Sequence, residues 1–349
     1  MDKRETVGLI AGLTSKLKSA ITNLEQFIGM GELSPAQIQK IVADGKARDY
    51  FSIGDVIYIP WTNYTGSAPV LYDMPFVVVH IGDVYDDQDV KHENALWLMC
   101  LYCEPEEMIF DASEEILATE ATFTEGWYYY IKNADNSFTE QTVTYGDTIS
   151  GTYYHHTLHN AANTLRYGYN RWSKSAYRQW LNSAAAKNDN WWTAQYESDV
   201  APSTTYTNKP GWLYGFGADF LDIVKPVKVQ TSCNTVTDDG VTDVTYDRFF
   251  LPSLEQMYGS PQAASVEGDY WEYWKNVTGL DEPSNGSSSD TNDARKISQI
   301  NAPDGAAVYV RLRSANYGYS SVWVVSSAGY LTSNNALNAY RSQPACVIY

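Results

Sequence analysis

The chain has 349 residues, a formal net charge of −18 and an apolar content of 44%. A chain of this length can bury a sizeable hydrophobic core, and its composition is that of a globular protein. An acidic protein of this kind is repelled by DNA, RNA and anionic lipid, so we predict no nucleic-acid partner. Residues 1–27 hold no apolar run long enough for a signal peptide or a membrane span, which predicts a soluble product without membrane insertion.

Residues 1–48 are predicted to form N-terminal helices. Between residues 5 and 28, apolar residues recur at alternating spacings of three and four. This pattern is typical of a short coiled-coil seam, which would join identical chains as a homotrimer, and equally of an amphipathic helix docked on its own domain. A second helix is predicted from Ser34 as N-cap, Pro35 at the first position and Gly45 as the stop.

Residues 49–150 are predicted to form a β-rich domain. Runs of β-branched and aromatic residues, such as YFSIGDVIYIPW, MPFVVVHIGDVY and NALWLMCLY, alternate there with turn residues. Cys100 and Cys103 have the CxxC spacing of a zinc or redox site, but they lie in an apolar run that predicts a buried strand, and no second CxxC follows. Buried thiols are therefore the prediction.

Residues 151–349 are predicted to form one α+β domain. Ser173 would cap a helix, ADFLDIVKPVKVQTS would form a short helix and a strand, and residues 259–305 would form a long Gly/Ser/Asp-rich insertion. The segments AVYVRLRSA, SVWVVSSAGYL and PACVIY predict closing strands, with SSAG as a hairpin turn. Strands at both ends, with a helix and long loops between them, predict an α+β fold whose two ends meet.

Motifs that carry catalysis or metal binding are weak in this sequence. His155 and His159 lie four apart, as two metal ligands on a helix do, but a zinc peptidase would need Glu at position 156. A surface or packing role is the alternative. The acidic loop with Asp290 and Asp293 lacks the glycine and the final glutamate of an EF-hand. We predict no enzyme activity, no metal site and no cofactor.

The C-terminal segment is rich in Ser, Asn, Tyr and Gly and almost free of Lys, Asp and Glu. Strand alternation would place its apolar side chains in a scaffold and its polar and aromatic ones on an exposed face. Such a face suits ligand binding, because Tyr supplies contact area at low entropic cost while Ser and Asn adapt their hydrogen bonds. A polar hairpin without a binding role is the alternative. The predicted binding residues are Asn316, Tyr317, Tyr319, Ser320, Ser321, Val324, Ser326, Tyr330, Thr332, Asn334, Asn338, Tyr340 and Ser342.

Several blocks in order, NRWSKSAYRQWLNS, GWLYGFGADFLDIVKPVKVQTSCNTVTDDG, DRFFLPSLEQMYG and the segment from VRLRSANYGYSS to the end, resemble a domain family of phages and gut bacteria. That family has the C-type-lectin-like fold, is related in shape to formylglycine-generating enzymes, and includes the variable proteins of diversity-generating retroelements. The upstream SPAQIQKIVADGKARDYFSIGDVI resembles segments that precede this domain, so the resemblance covers most of residues 34–349.

The resemblance implies a variable region at about residues 314–342. In those systems, error-prone reverse transcription at template adenines rewrites Asn codons into codons for Ser, Tyr, Thr and several others, but never for Lys, Glu, Gln, Met or Trp. Residues 314–342 contain no Lys, Glu, Gln or Met, and their one Trp, Trp323, is assigned to the scaffold.

The resemblance also implies a non-catalytic receptor-binding protein of a phage tail or fibre, made in the host cytoplasm. Its expected partners are a host cell-surface protein or glycan and, through the N-terminal region, other virion proteins. A bacterial surface adhesin or carbohydrate-binding module without diversification is the alternative. A formylglycine-generating enzyme would need a reactive cysteine pair, whereas Cys233 and Cys346 stand alone, and the calcium motifs of sugar-binding lectins are missing.

Overall fold

The structure is a computed structural model, and it describes residues 33–114, 117–122, 125–144, 146–159, 165–259, 267–277 and 293–349. The helix predicted between residues 5 and 28, with its coiled-coil seam, lies outside the described residues, and so does most of the acidic loop around Asp290. In the part of the chain that the structure describes, no helix is long and apolar enough to span a membrane.

Short helices and many strands make up the described residues. The α-helices are α1 (Pro35–Ala43), α2 (Ala47–Tyr50), α3 (Ala176–Leu181), α4 (Thr204–Thr207), α5 (Ala218–Ile223) and α6 (Leu254–Tyr258). The 3₁₀-helices are Trp172–Lys174, Trp212–Gly215 and Asp293–Arg295, and a π-helical turn covers Tyr273–Val277. The strands are β1 (Val56–Asn63), β2 (Val70–Tyr85), β3 (Lys91–Cys100), β4 (Met108–Ile109), β5 (Leu117–Thr122), β6 (Tyr128–Lys132), β7 (Phe138–Gln141), β8 (Thr148–His156), β9 (Val227–Ser232), β10 (Thr242–Asp247), β11 (Phe249–Phe250), β12 (Val310–Ala315), β13 (Ser321–Val325), β14 (Leu331–Asn335), β15 (Ala339–Ser342) and β16 (Ala345–Ile348).

An antiparallel five-stranded sheet joins strands from the first third of the chain to strands from its last third, in the order β1-β2-β3-β16-β11. The last strand pairs with β3, so that Val347 lies opposite Trp97 and Ile348 opposite Leu96. Residues on both sides of the boundary predicted at 150 therefore share one sheet. The predicted α+β class is confirmed. The meeting predicted for the two ends of residues 151–349 is not tested by this sheet, because β8, at the start of that range, pairs with β5 and β6.

The C-terminal sheet has the order β14-β13-β12-β15-β4, with β14 at one edge. Its neighbours pair antiparallel except β12 and β15, which run parallel at Val310 and Arg341. The remaining strands form a β9-β10 hairpin and a β5-β8-β6-β7 sheet. The closing strands predicted from apolar runs are present, and the predicted SSAG hairpin is confirmed, because β14 pairs with β13 from Leu331 onward. The short strand β15 is an addition to the prediction.

Helix caps account for one correct and one incorrect prediction. Ser34 caps α1 in a capping box with Gln37, and Gly45 follows the helix with a φ of +71°, as predicted. Ser175, and not Ser173, caps α3, because its hydroxyl accepts the Arg178 N–H at 3.2 Å. The Ser173 hydroxyl instead donates to Asp243.

One hydrophobic cluster extends from Ile38 near the start of the described chain to Ile348 near its end. Aromatic rings dominate its centre: the rings of Trp61 and Trp212 lie 4.6 Å apart, and those of Phe216 and Phe249 stack at 5.3 Å. Such pairs stabilise a core beyond their burial alone. The cysteines Cys100, Cys103, Cys233 and Cys346 are all buried and unpaired.

The position of β16 inside the first sheet predicts a large effect of a buried charge. Val347 is fully buried, so Val347→Asp should lower the free energy of unfolding by about 4 kcal/mol or more, or prevent folding. Val244→Asp is the control, since Val244 is 44% exposed on β10, and it should change stability by only ~0.5 kcal/mol. Urea unfolding of both variants measures the difference, and equal effects would contradict the assignment of β16.

Candidate ligand-binding surface on the C-terminal sheet

Most of the predicted binding residues lie at least partly at the surface. Tyr319 is 68% exposed, and the others that reach the surface are half-buried. We call these residues the surface set: Asn316, Tyr317, Tyr319, Ser321, Tyr330, Thr332, Asn334, Asn338 and Tyr340.

Val324 does not lie on the exposed face. It lies opposite Arg311 and Thr332 in the sheet and is completely buried, whereas Trp323, assigned to the scaffold, is half-buried beside it. The prediction had the phase of β13 inverted at these two positions. Strand alternation was ambiguous there, because Val322, Val324 and Val325 are all buried.

Three predicted serines are also buried. The Ser326 hydroxyl accepts the N–H groups of Ala328 and Tyr330 and so shapes the SSAG turn. Ser342 is fully enclosed next to Glu104, and Ser320 is 7% exposed. Because serine is small, it can satisfy its hydroxyl inside a turn or a network, and its polarity did not reveal this burial.

Two buried asparagines hold the loop between β12 and β13 by its backbone carbonyls. Asn170 Nδ2 donates to the carbonyl oxygens of Tyr319 at 2.8 Å and Ser321 at 2.9 Å. Asn234 Nδ2 donates to the Tyr319 carbonyl at 2.7 Å, and both asparagines are fully buried. None of these contacts uses a side chain of the loop, so they do not depend on which residues occupy it.

Neighbouring residues fix the two asparagines in place. Arg171, next to Asn170, forms ion pairs with Asp238 at 2.7 Å and Asp243 at 2.5 Å. The Asn234 side-chain oxygen accepts the Val236 N–H at 2.6 Å. Contacts with the segment around residues 234–243 therefore hold both asparagines in place.

A buried arginine holds the segment between β14 and β15 in the same way. The Arg311 guanidinium donates to the carbonyl oxygens of Asn334 at 3.2 Å, Asn335 at 3.3 Å and Asn338 at 2.7 Å. It also lies 4.7 Å from the Tyr340 ring centre, a cation–π contact. Burial lowers the pKa of Arg311 to about 10, so the guanidinium remains charged at neutral pH.

Side chains of the surface set bind one another and nearby surface residues. Asn316 Nδ2 donates to the Ser333 hydroxyl at 3.0 Å, while Asn338 donates to the Asn334 side-chain oxygen and Asn334 to the Tyr340 hydroxyl. The result is a polar and aromatic surface whose backbone is held by the buried side chains of Asn170, Asn234 and Arg311. Such a surface can bind a ligand by stacking and by hydrogen bonds.

Glu104 fixes the end of β15. Both of its carboxylate oxygens accept the Ser342 N–H, at 2.8 and 2.9 Å, and Tyr177 donates its hydroxyl at 2.5 Å. The carboxyl group is completely buried, and desolvation raises its pKa to about 7 despite these bonds.

The positioning residues Asn170, Asn234 and Arg311 were missed by sequence reasoning, and so was the half-exposed Trp323. Only Arg311 gave a signal, since a charged residue inside the apolar run AVYVRLRSA needs buried partners. Nothing local marks the asparagines, because their partners lie far away in sequence.

A cleft of about 260 Å³ lies elsewhere in the molecule. It is lined in part by Trp97, Gln230 and Trp271 and by the carboxylates Asp83 and Asp269. Aromatic rings combined with carboxylates and amides are the groups that commonly bind small polar ligands.

The hydrogen bonds that Asn170 donates to backbone carbonyls predict a local effect of removing its side chain. Asn170→Ala removes the side-chain donor to the Tyr319 and Ser321 carbonyls, which keep their bonds from Asn234 and from the Asn316 N–H, and should lower the free energy of unfolding by roughly 1–3 kcal/mol. Amide hydrogen exchange at residues 316–321 should accelerate most. Asn208→Ala, at an exposed site, is the control. Equal exchange rates in both variants would contradict the role of Asn170 in holding the loop between β12 and β13.

Glu104 predicts a pH dependence of stability. Its pKa is higher in the folded chain than its usual 4.5, so its contribution to stability is lost as the pH rises from about 5 to about 8. The free energy of unfolding of Glu104→Gln, measured relative to that of the wild type, should therefore rise by about 3 kcal/mol between these two pH values. Urea unfolding at both pH values measures this, with Glu107→Gln at the surface as the control; a constant difference would contradict the assignment.

One family profile, described as "Domain of unknown function (DUF6273)", matches residues 153–349, more than half of the chain. No curated protein and no solved structure is significantly similar to the chain.

Proposed function

We propose that this chain, which belongs to the DUF6273 family, is a non-catalytic ligand-binding protein whose C-terminal surface is diversified by a retroelement. In this proposal residues 153–349 have a C-type-lectin-like fold, and the protein is a phage receptor-binding protein of the virion. The observation that carries the proposal is the set of bonds from buried Asn170, Asn234 and Arg311 to backbone carbonyls.

These bonds support the proposal because a carbonyl oxygen is present whatever the side chain. A surface that must accept many sequences needs a backbone that does not depend on them. The loop around Tyr319 and the segment around Asn338 meet this requirement. The ligand would be a host cell-surface protein or glycan, bound by stacking on tyrosines and by adaptable Ser and Asn hydrogen bonds.

The cysteines support a non-catalytic role. An enzyme of the formylglycine-generating type needs a reactive thiolate, but burial raises the pKa of both Cys233 and Cys346 well above the usual range for a thiol. A thiol whose charged form is disfavoured is a poor nucleophile.

Binding to bacterial cells tests the role of the surface set. Tyr317→Ala/Tyr319→Ala should reduce binding of the labelled protein to a panel of gut bacteria, or to a glycan array, by tenfold or more, about 1.4 kcal/mol. Its melting temperature should stay nearly unchanged, because Tyr319 projects into solvent. Tyr58→Ala/Tyr214→Ala removes two exposed tyrosines elsewhere and is the matched control. Equal loss in both variants would contradict the proposal.

Sibling sequences test diversification itself. Copies of the C-terminal segment from related genomes should differ mainly at codons of the surface set and keep Asn170, Asn234 and Arg311. A reverse-transcriptase gene and an adenine-biased template repeat should lie nearby. Differences spread evenly over the segment, without such genes, would favour the alternative function.

That alternative is a surface adhesin or carbohydrate-binding module without diversification, and the cleft beside Trp97 favours it. In this case Asp83→Ala/Asp269→Ala would abolish binding on the glycan array, whereas Tyr317→Ala/Tyr319→Ala would not. The same array therefore separates the two functions.

A further inference from the structure

Three carboxylates that the surface set does not use come together in the interior. Asp111 and Glu114 follow β4, and Asp199 lies in the loop before α4. One carboxylate oxygen of each lies within 4.8 Å of the others, and Asp111 and Glu114 are 0% and 2% exposed. We call them the carboxylate cluster.

Each carboxylate accepts a backbone N–H group through one of its oxygens. The bound oxygens accept backbone N–H groups: Asp111 from Ala176 at 3.2 Å, Glu114 from Val200 at 3.1 Å, and Asp199 from Gln195 at 2.6 Å. The second oxygen of the fully buried Asp111, Oδ2, has no hydrogen-bond donor in the described structure, whereas Glu114 shares side-chain hydrogen bonds with Tyr196 and Asp199. A buried carboxylate oxygen is rarely left so, and its position among two further carboxylates indicates a missing ligand.

No Lys or Arg among the described residues forms an ion pair with any member of the carboxylate cluster. His156 Nε2 lies 4.0 Å from Glu114, but His156 Nδ1 accepts the Leu158 N–H at 3.1 Å, which is compatible only with the neutral ring. Three carboxylates buried together without a cation would repel one another strongly.

We propose that the carboxylate cluster binds one Ca²⁺ ion. Its ligand set consists of oxygens, which hard cations prefer. The oxygens lie within 4.8 Å of one another. Ca²⁺, with bonds of roughly 2.3–2.6 Å and a flexible coordination geometry, suits such a site better than Mg²⁺, which demands near-ideal octahedral geometry and keeps several of its waters. The backbone N–H groups already hold each carboxylate in place, so the site is largely preformed.

The bound ion would stabilise the backbone beneath the surface set. The Phe110 and Asp111 N–H groups donate to the Ala336 carbonyl, at 2.9 and 3.2 Å, in the turn between β14 and β15. Gly168 lies between the Asp111 backbone and this turn, where no side chain fits. Its φ is +94°, and a Cβ there would lie 2.6 Å from the Leu337 nitrogen and 2.9 Å from the Asp111 carbonyl oxygen. The carboxylate cluster and this turn are therefore in direct contact through the backbone.

Calcium binding to the full chain tests the proposal. After chelation and dialysis, the protein should bind one Ca²⁺ per chain in a calcium-binding titration. About 1 mM CaCl₂ should raise its melting temperature by ~3 °C or more, and Mg²⁺ should do less. Asp111→Asn and Glu114→Gln should each lose most of this shift. No bound calcium and no shift in the wild type would overturn the proposal.

A control variant and a second readout separate the site from a general effect of charge. Glu197→Gln removes an exposed carboxylate two residues from Asp199 and should keep the full shift. Tb³⁺, a luminescent substitute for Ca²⁺, should be sensitised by aromatic excitation in the wild type and displaced by Ca²⁺. An unchanged shift of the melting temperature in Asp111→Asn and Glu114→Gln would place calcium elsewhere and overturn the proposal. If either variant fails to fold, the terbium measurement on the wild type decides: absence of Tb³⁺ emission that Ca²⁺ displaces would overturn the proposal.

Discussion

Hydrogen bonds from buried side chains to backbone carbonyls determine the shape of the C-terminal surface. Asn170 and Asn234 hold the loop between β12 and β13, and Arg311 holds the segment between β14 and β15. Because these donors are buried, an unpaired one would cost about 1–3 kcal/mol, and the loops are thereby drawn into one conformation. The conformation is thus encoded outside the residues that face solvent. The surface set can then differ in chemistry without a change in backbone shape.

The two five-stranded sheets are connected where this surface ends. β15 is followed directly by β16, the strand that pairs with β3 in the first sheet. Glu104 holds this connection through the Ser342 N–H, and the Gln343 side chain donates to the Cys100 carbonyl at 2.9 Å. The surface is therefore attached at its end to the most deeply buried part of the molecule, which gives the rigidity that a preorganised binding surface needs.

Local patterns in the sequence were sufficient for the elements that depend on local physics. Ser34 and Pro35 identified α1, and apolar runs identified most strands, because caps and strand propensity act over a few residues. The short strand β15 was missed, since its pairing with β12 and β4 supplies what its own four residues do not. Asn170 and the carboxylate cluster were missed for a different reason. Their roles arise only from tertiary contacts between segments far apart in sequence.

The burial of four predicted binding residues constrains how a diversified surface could be built on this frame. Val324 lies under the sheet opposite Arg311, so a charged residue there would have to be buried beside the guanidinium that holds the neighbouring segment. Ser342 is enclosed with Glu104, where a larger side chain would displace the end of β15. Changes at these positions would alter the backbone on which every other position depends. A surface that tolerates many sequences must therefore keep these buried positions fixed and change only the exposed positions between them. Variable and fixed residues then have to alternate along the segment.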